Sequence, residues 1–236
     1  MAARNLRARV REEITEEIRS AARRRLAVDG ADLSLRAVAR DVDLVPSALY
    51  RYFPSRDALL TDLITEAYQA LAQCAETAEA AVPRAHHRER WLVLCRAARG
   101  WALRHPAEYA LIYGSPVPGY AAPPDTVAPA SRVILALIGI LFDAAAAGAP
   151  VAEAAGPLPP AVHADLHRLL TEWPGPTPAS LPSAPERVLA IALTLWTQLF
   201  GLLGFEVFGR LEGMVEAREA YFDHQLTVLA DLARLR

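Results

Sequence analysis

The chain has 236 residues, 53% hydrophobic and 22% charged, with a formal net charge of −2. That composition supports a sizeable buried core and excludes a disordered chain, while two cysteines without a CxxC spacing, Cys74 and Cys95, exclude a disulfide framework and a cysteine zinc knuckle and fit a reducing compartment. The opening residues, MAARNLRARVREEITEEI, hold Arg4, Arg7, Arg9 and Arg11 followed by acids, with no apolar run of the export type, so a cytoplasmic location is expected.

Charge is unevenly distributed. Residues 1–60 carry 12 Arg against 9 acids, a net of +3, and the remainder carries 13 Arg against 18 acids, a net of −5. A mildly acidic protein can still bind an anionic polymer if its positive side chains gather on one face, and that face is expected near the N-terminus.

The periodicities are helical throughout. Leu6, Val10, Ile14, Ile18, Ala22 and Leu26 recur every four residues, which predicts a first helix of about six turns ending near Gly30. Ser34 is placed to cap a second, short helix carrying Leu35, Val38, Ala39 and Val42 at i, i+3, i+4 and i+7, interrupted at Asp43 and Leu44. Pro46 suits the first position of a third helix, which must end around Phe53 because Pro54 follows. Ser55 can cap a fourth, with Leu59, Leu60, Leu63, Ile64, Ala67 and Leu71 on one face, running to about Ala81. Further helical patterns cover about 86–104, 106–113, 130–148, 161–172, 185–208 and 212–235, separated by proline-rich loops. The fold class is therefore all-α. Val188–Phe205 has 18 residues without a charge, but Thr194, Thr197, Gln198, Gly201 and Gly204 favour a buried or interface helix over a membrane span, and no membrane partner is expected.

Two short helices joined by a tight turn form a helix-turn-helix unit, in which the first braces the second and the second can lie in the major groove of DNA. Pro46, Ser47 and Ala48 fall in the first turn of the reading helix, where small side chains permit close approach to base edges, and Tyr50, Arg51 and Tyr52 follow. Ser34, Arg36, Tyr52 and Arg56 stand at helix ends where phosphate donors are needed.

The run LRAVARDVDLVPSALYRYFPSRDALL resembles the DNA-binding signature of the TetR family of transcriptional regulators, xxVAxxxGVxxxxLYxYFxxKxxLL, with Val38-Ala39, Leu49-Tyr50, Tyr52-Phe53 and Leu59-Leu60 at mutually correct spacings. The resemblance spans about Ile14 to Leu63. Asp43 stands where the family often has a turn glycine, and Asp tolerates left-handed backbone. Val45 replaces a frequent Ser, whose phosphate contact is not carried over, and Arg56 replaces the usual Lys. Downstream, HPAEYALIYGSPVPGYAAP and LWTQLFGLLGFEVFGRL are similar to the C-terminal domain of a subgroup with a Trp-His-Gly theme, with Phe200 where a His often stands.

The resemblance implies a three-helix DNA-binding domain over residues 1–55 and a larger helical ligand-binding and dimerisation domain over 56–236. It implies a repressor that binds a pseudo-palindromic duplex operator as a homodimer and is released by a small molecule. A pocket walled by Trp101, Tyr109, Tyr113, Ile138 and Phe142, with His105 as a polar point, would suit a hydrophobic or aromatic effector. The last two helical patterns are long and apolar enough to pair with their copies, with Trp196, Phe200, Gly201, Gly204, Phe205, Tyr221 and Leu229 as interface candidates.

The competing class is an all-α enzyme or binding protein, which would need a catalytic constellation. The sequence offers no phosphate-cradling glycine loop, nucleophile elbow, HExxH or convincing carboxylate pair, and no enzyme activity or cofactor is expected. His163 and His167 have metal-ligand spacing but no evident third ligand, so they are read as an exposed face. Arg23, Arg24 and Arg25 are read as a solvated helix face. An activator of the same family is not distinguished from a repressor by these residues.

Overall fold

A computed structural model describes residues 2–29, 33–172 and 182–236. Among them all regular structure is helical: α1 (Ala2–Asp29), α2 (Leu35–Asp41), α3 (Pro46–Leu49), α4 (Arg56–Ala80), α5 (His87–Arg104), α6 (Pro106–Tyr113), α7 (Val127–Ala146), α8 (Val151–Ala154), α9 (Pro160–Thr171), α10 (Pro185–Val207) and α11 (Arg218–Leu232). The helices gather into two compact units, one of residues 1–68 and 105–127, the other of 69–104 and 128–236.

In the first unit the apolar stripes expected of α1, α2 and α4 meet in one core of Ile18, Ala22, Leu26, Leu35, Val38, Ala39, Leu59, Leu60 and Leu63, and α6 packs on α1. The α1 stripe overruns this core, leaving Leu6 58% and Val10 43% exposed. Its expected stop at Gly30 lies outside the described residues. Three bidentate or short ion pairs tie α1 to its neighbours: Arg19 to Asp62 at 2.7 and 3.0 Å, Arg23 to Glu66 at 2.6 Å, and Arg25 to Asp41 at 2.7 Å through both nitrogens. Arg23 and Arg25 are thus braces where a solvated face was expected, while Arg24 is exposed as expected and bonds to Ser20 on its own helix.

Two details of the helix ends differ from expectation. Ser34 sits at the N-cap of α2 with extended backbone, yet its side chain makes no capping bond; its carbonyl accepts the N–H groups of Ala37 and Val38 instead. The reading helix α3 stops at Leu49, not Phe53. Pro54 pushes Phe53 out of the helical region, so the chain leaves through tight turns in which Arg51 N–H reaches the Ala48 carbonyl and Tyr52 N–H the Leu49 carbonyl. Ser55 does cap α4: its Oγ accepts the Ala58 N–H at 3.0 Å.

The second unit is organised on α10, which packs against α5, α8, α9 and α11. The four-residue α8 occupies a stretch expected as loop, and α11 begins later than expected because Gly209 and Gly213 take left-handed φ values of 69° and 71° in the preceding turns. Residues 124–146 and 185–207 are both long and apolar enough to cross a membrane by length and composition. Both are core helices here: Leu137, Ile140 and Leu141 of α7, and Val188, Leu195, Leu199 and Leu203 of α10, are buried within the unit. Most buried polar groups are paired, Arg187 Nε being an exception among the described residues. The Trp91 indole N–H donates to the Leu226 carbonyl at 3.0 Å, Arg90 (2% exposed) reaches Glu79, Asp143 and the Arg84 carbonyl, and Arg99 grips Glu206 with two bonds of 2.8 and 2.6 Å.

At the start of α10, Glu186 is buried and faces both histidines of α9: His167 Nδ1 bonds to it at 2.9 Å and His163 Nε2 lies at 3.9 Å. The two imidazoles, read from sequence as an exposed face, are more than half exposed but share a carboxylate. Among the described residues no group of three His, Cys, Asp or Glu is set to hold a metal ion.

Leu49 is fully buried and is the buried side chain of α3. Leu49→Ala is expected to destabilise the protein by about 2–5 kcal/mol, measured by denaturant unfolding, because the four-residue helix has no other buried anchor of its own. The hydrogen bond from His167 holds the Glu186 carboxyl below the usual range. Its folded value is depressed, so its contribution is fully present above the ordinary carboxylate range and is lost as pH falls through the lowered value. Glu186→Gln is therefore expected to lower Tm at neutral pH, with the difference from the parent shrinking on acidification; a difference that grew at low pH would contradict this.

Candidate nucleic-acid interface

The turn between α2 and α3 sets the reader's direction. Asp43 takes the left-handed conformation there, with φ of 53°, and does what a glycine would at less steric ease. Pro46 then opens α3 at its first position, where its missing N–H costs no bond. With Leu49 and Phe53 directed into the core, Tyr50 and Arg51 between them are left on the surface, while Tyr52 packs partly inward. Pro46, Ser47, Tyr50 and Arg51 are exposed, and Ala48 is half-buried. Ser34 and Arg36 are exposed at the start of α2.

The two tyrosines of the reader divide their work. Tyr50 is 49% exposed, whereas Tyr52 packs partly against the core with the Arg11 guanidinium 5.2 Å from its ring centre. Arg56 is half-buried and its Nε donates to the Leu33 carbonyl at 3.2 Å, so it also braces the segment before α2.

The residues expected to wall a pocket are distributed over both units. In the first, Tyr109 is fully buried and its ring lies 5.3 Å from that of Tyr113, which meets Tyr68 edge-on at 5.9 Å. Burial raises the hydroxyl pKa of Tyr109 and Tyr113, so both stay neutral hydrogen-bonding groups. His105 is near Glu108, at 3.7 Å. Tyr68, whose hydroxyl donates to the Ile112 carbonyl at 3.2 Å, escapes a reading of the sequence because it falls outside the aliphatic stripe of α4. In the second unit, Trp101, Ile138 and Phe142 are each at most 5% exposed and belong to its core.

Of the expected interface residues, Gly201 and Phe205 are exposed, while Trp196, Phe200, Gly204 and Tyr221 are half-buried, with Trp196 and Phe200 in edge contact at 6.1 Å. Leu229 is buried within its own chain, and the outward apolar positions of α11 are Val228 and Leu232.

A short helix presented outward from a three-helix core, in a chain with a second helical unit, defines a helix-turn-helix regulator. Residues 18–63 match the family model for bacterial regulatory proteins of the tetR family, and residues 91–229 match that for the tetracyclin repressor-like C-terminal domain. The chain is 38% identical over 225 residues to the HTH-type transcriptional regulators Rv1816 of Mycobacterium tuberculosis and Mb1846 of Mycobacterium bovis, covering 93% of this chain and 92% of theirs. Its fold is similar to a crystal structure described as that of a regulatory protein, SCO4313, with a TM-score of 0.74, 33% identity, and coverage of 95% and 98% of the two chains. A protein of unknown function from Rhodococcus sp. RHA1 shares the fold at 24% identity and a TM-score of 0.64, over 93% and 92% of the two chains. The chain belongs to the TetR family of transcriptional regulators. It is a DNA-binding regulator and not an enzyme.

Proposed function

We propose that the protein is a cytoplasmic repressor that binds a pseudo-palindromic operator as a homodimer and releases it when a small, mostly apolar molecule binds. Residues 1–55 carry the DNA-binding function and 56–236 the effector and dimer functions. The observation that carries the reading is the outward presentation of Pro46 and Ser47 on a helix whose Leu49 is fully buried, and of Tyr50 and Arg51 in the turn just beyond it. One such helix spans too few base pairs to select a site alone, so two copies related by a twofold axis are needed.

Two exposed stripes support pairing. On α10, Thr194, Gln198, Gly201 and Phe205 recur at helical spacing and are exposed, as is Phe208 at its C-cap, with open space above Gly201. On α11, His224, Val228 and Leu232 do the same. Apolar exposure at helical spacing is the pattern that a four-helix interface between two copies would cover.

Binding is expected to fall steeply with salt, and phosphate and base contacts to separate by mutation. Tyr52→Phe should weaken binding to all duplexes alike, whereas changes at Ser47 or Ala48 should alter which bases are preferred. Gel shifts across salt concentrations, with a duplex selected in vitro from a random pool and a scrambled control, read both effects. Equal affinity for both duplexes at every salt concentration would remove the reading.

For the effector, the Tyr68–Tyr109–Tyr113 cluster offers aromatic faces and neutral hydroxyls. A thermal-shift screen of apolar and aromatic compounds on the parent supplies hits. Tyr113→Ala is then expected to bind DNA as the parent does and fail to release it on addition of a hit, since a ligand shifts the equilibrium only through unequal affinity for the two states. Loss of response in Trp101→Ala but not Tyr113→Ala would move the effector site to the second unit.

A further inference from the structure

We propose that Arg11, on α1 and outside the helix-turn-helix, is a phosphate-binding residue of the DNA interface. The inference rests on the DNA-binding reading above and extends its surface to a helix not assigned to it. Arg11 Nη2 donates to the Arg51 carbonyl at 3.1 Å, at the end of the reader, and its guanidinium carbon lies 5.2 Å from the centre of the Tyr52 ring. Leu6, Val10, Arg11 and Tyr52 line one groove of about 440 Å³ on this side of the unit.

The geometry fixes the guanidinium without using it up. One edge holds a backbone carbonyl and one face covers an aromatic ring, both of which restrict a side chain that otherwise loses considerable rotamer freedom on binding. Its other N–H groups have no partner among the described residues, and the residue is exposed. No carboxylate lies within ion-pair distance of it among those residues, in contrast to Arg19, Arg23 and Arg25 on the same helix. Arg9, earlier on the same helix, is held by Glu13 at 3.7 Å with its side chain 78% exposed. Arg11 is therefore a preoriented cation beside Tyr52, the residue for which the proposed function expects a phosphate contact. A planar guanidinium held at one edge still presents donors suited to a phosphate.

The test uses the full-length protein and the duplex selected by the parent. Arg11→Gln keeps a donor for the Arg51 carbonyl and removes the charge; Arg11→Ala removes both; Arg9→Ala removes an equal charge nearby. The Arg11 variants are expected to fold with the parent's Tm and circular dichroism, because Arg11 lies outside the buried core. They should lose about three- to tenfold in affinity, with the slope of log K against log salt falling by about 0.9, the value for one phosphate contact on duplex DNA. Arg9→Ala should leave both quantities near the parent's. A loss of affinity with an unchanged slope would make Arg11 a brace for Tyr52 only and overturn the phosphate contact. An equal effect of Arg9→Ala would reduce the result to net charge and overturn it too. Unchanged binding in Arg11→Gln beside weakened binding in Tyr52→Phe would overturn the proposal while the DNA-binding reading stood; a parent that selects no duplex would overturn both.

Discussion

A helix of four residues cannot stand alone, and most of the first unit follows from that constraint. Closing one helical turn fixes several backbone dihedrals for a single hydrogen bond, and isolated helices of this length are unstable in water. α3 persists because Leu49 and, just beyond it, Phe53 are buried against α1, α2 and α4. Those three helices are accordingly laid around it at short range in sequence. The Asp43 turn delivers the chain into α3, Pro54 ends its tail, and Ser55 caps α4 at once. The outward residues are then left without a packing role, which frees them for contacts with a partner.

The same arrangement explains which parts are legible in the sequence. Helix starts depend on local chemistry, so Pro46 and the Ser55 cap can be read from neighbouring residues, and the apolar stripes of α2 and α4 foretell a core that is present. The extent of α3 is misjudged when Pro54 is treated as a stop at the preceding residue, because its influence reaches back through tightened turns. Tertiary partners are hidden altogether. Glu186 lies 19 positions from His167, across a proline-rich stretch, and Arg11 lies 40 positions from Arg51. No periodicity within one helix encodes such pairs. Ser34 shows the opposite error: the residue type and backbone suit a cap, but the side-chain bond is not made.

Uniform apolarity also conceals a division of labour on α10. Its run of uncharged residues suggests one environment, yet Leu195, Leu199 and Leu203 are buried while Gln198, Gly201 and Phe205 are exposed. The polar and small residues that argue against a membrane span include those of the outer stripe. A core helix needs only one apolar face, so an outer stripe of Gly201 and the 48% exposed Phe205 leaves apolar surface open to a partner. The proposed homodimer supplies one.

Charge completes the argument for where DNA would be met. The excess of arginine in residues 1–60 suggests a broad basic surface, but α1 directs Arg19, Arg23 and Arg25 to acids of α4 and α2. Paired guanidinium groups contribute little net field at a distance, since each carries its counter-charge within about 3 Å. What remains without a carboxylate partner among the described residues includes Arg11, Arg36 and Arg51. Arg51 is on the reader's tail, Arg11 is bonded to its carbonyl, and Arg36 is at the start of the supporting helix. Internal ion pairing therefore does more than brace α1: by neutralising Arg19, Arg23 and Arg25 it leaves Arg11 and Arg51, beside the reader, among the arginines that keep their charge without a carboxylate partner in the described residues. A diffuse basic surface would attract any polyanion, whereas a concentrated one also orients it.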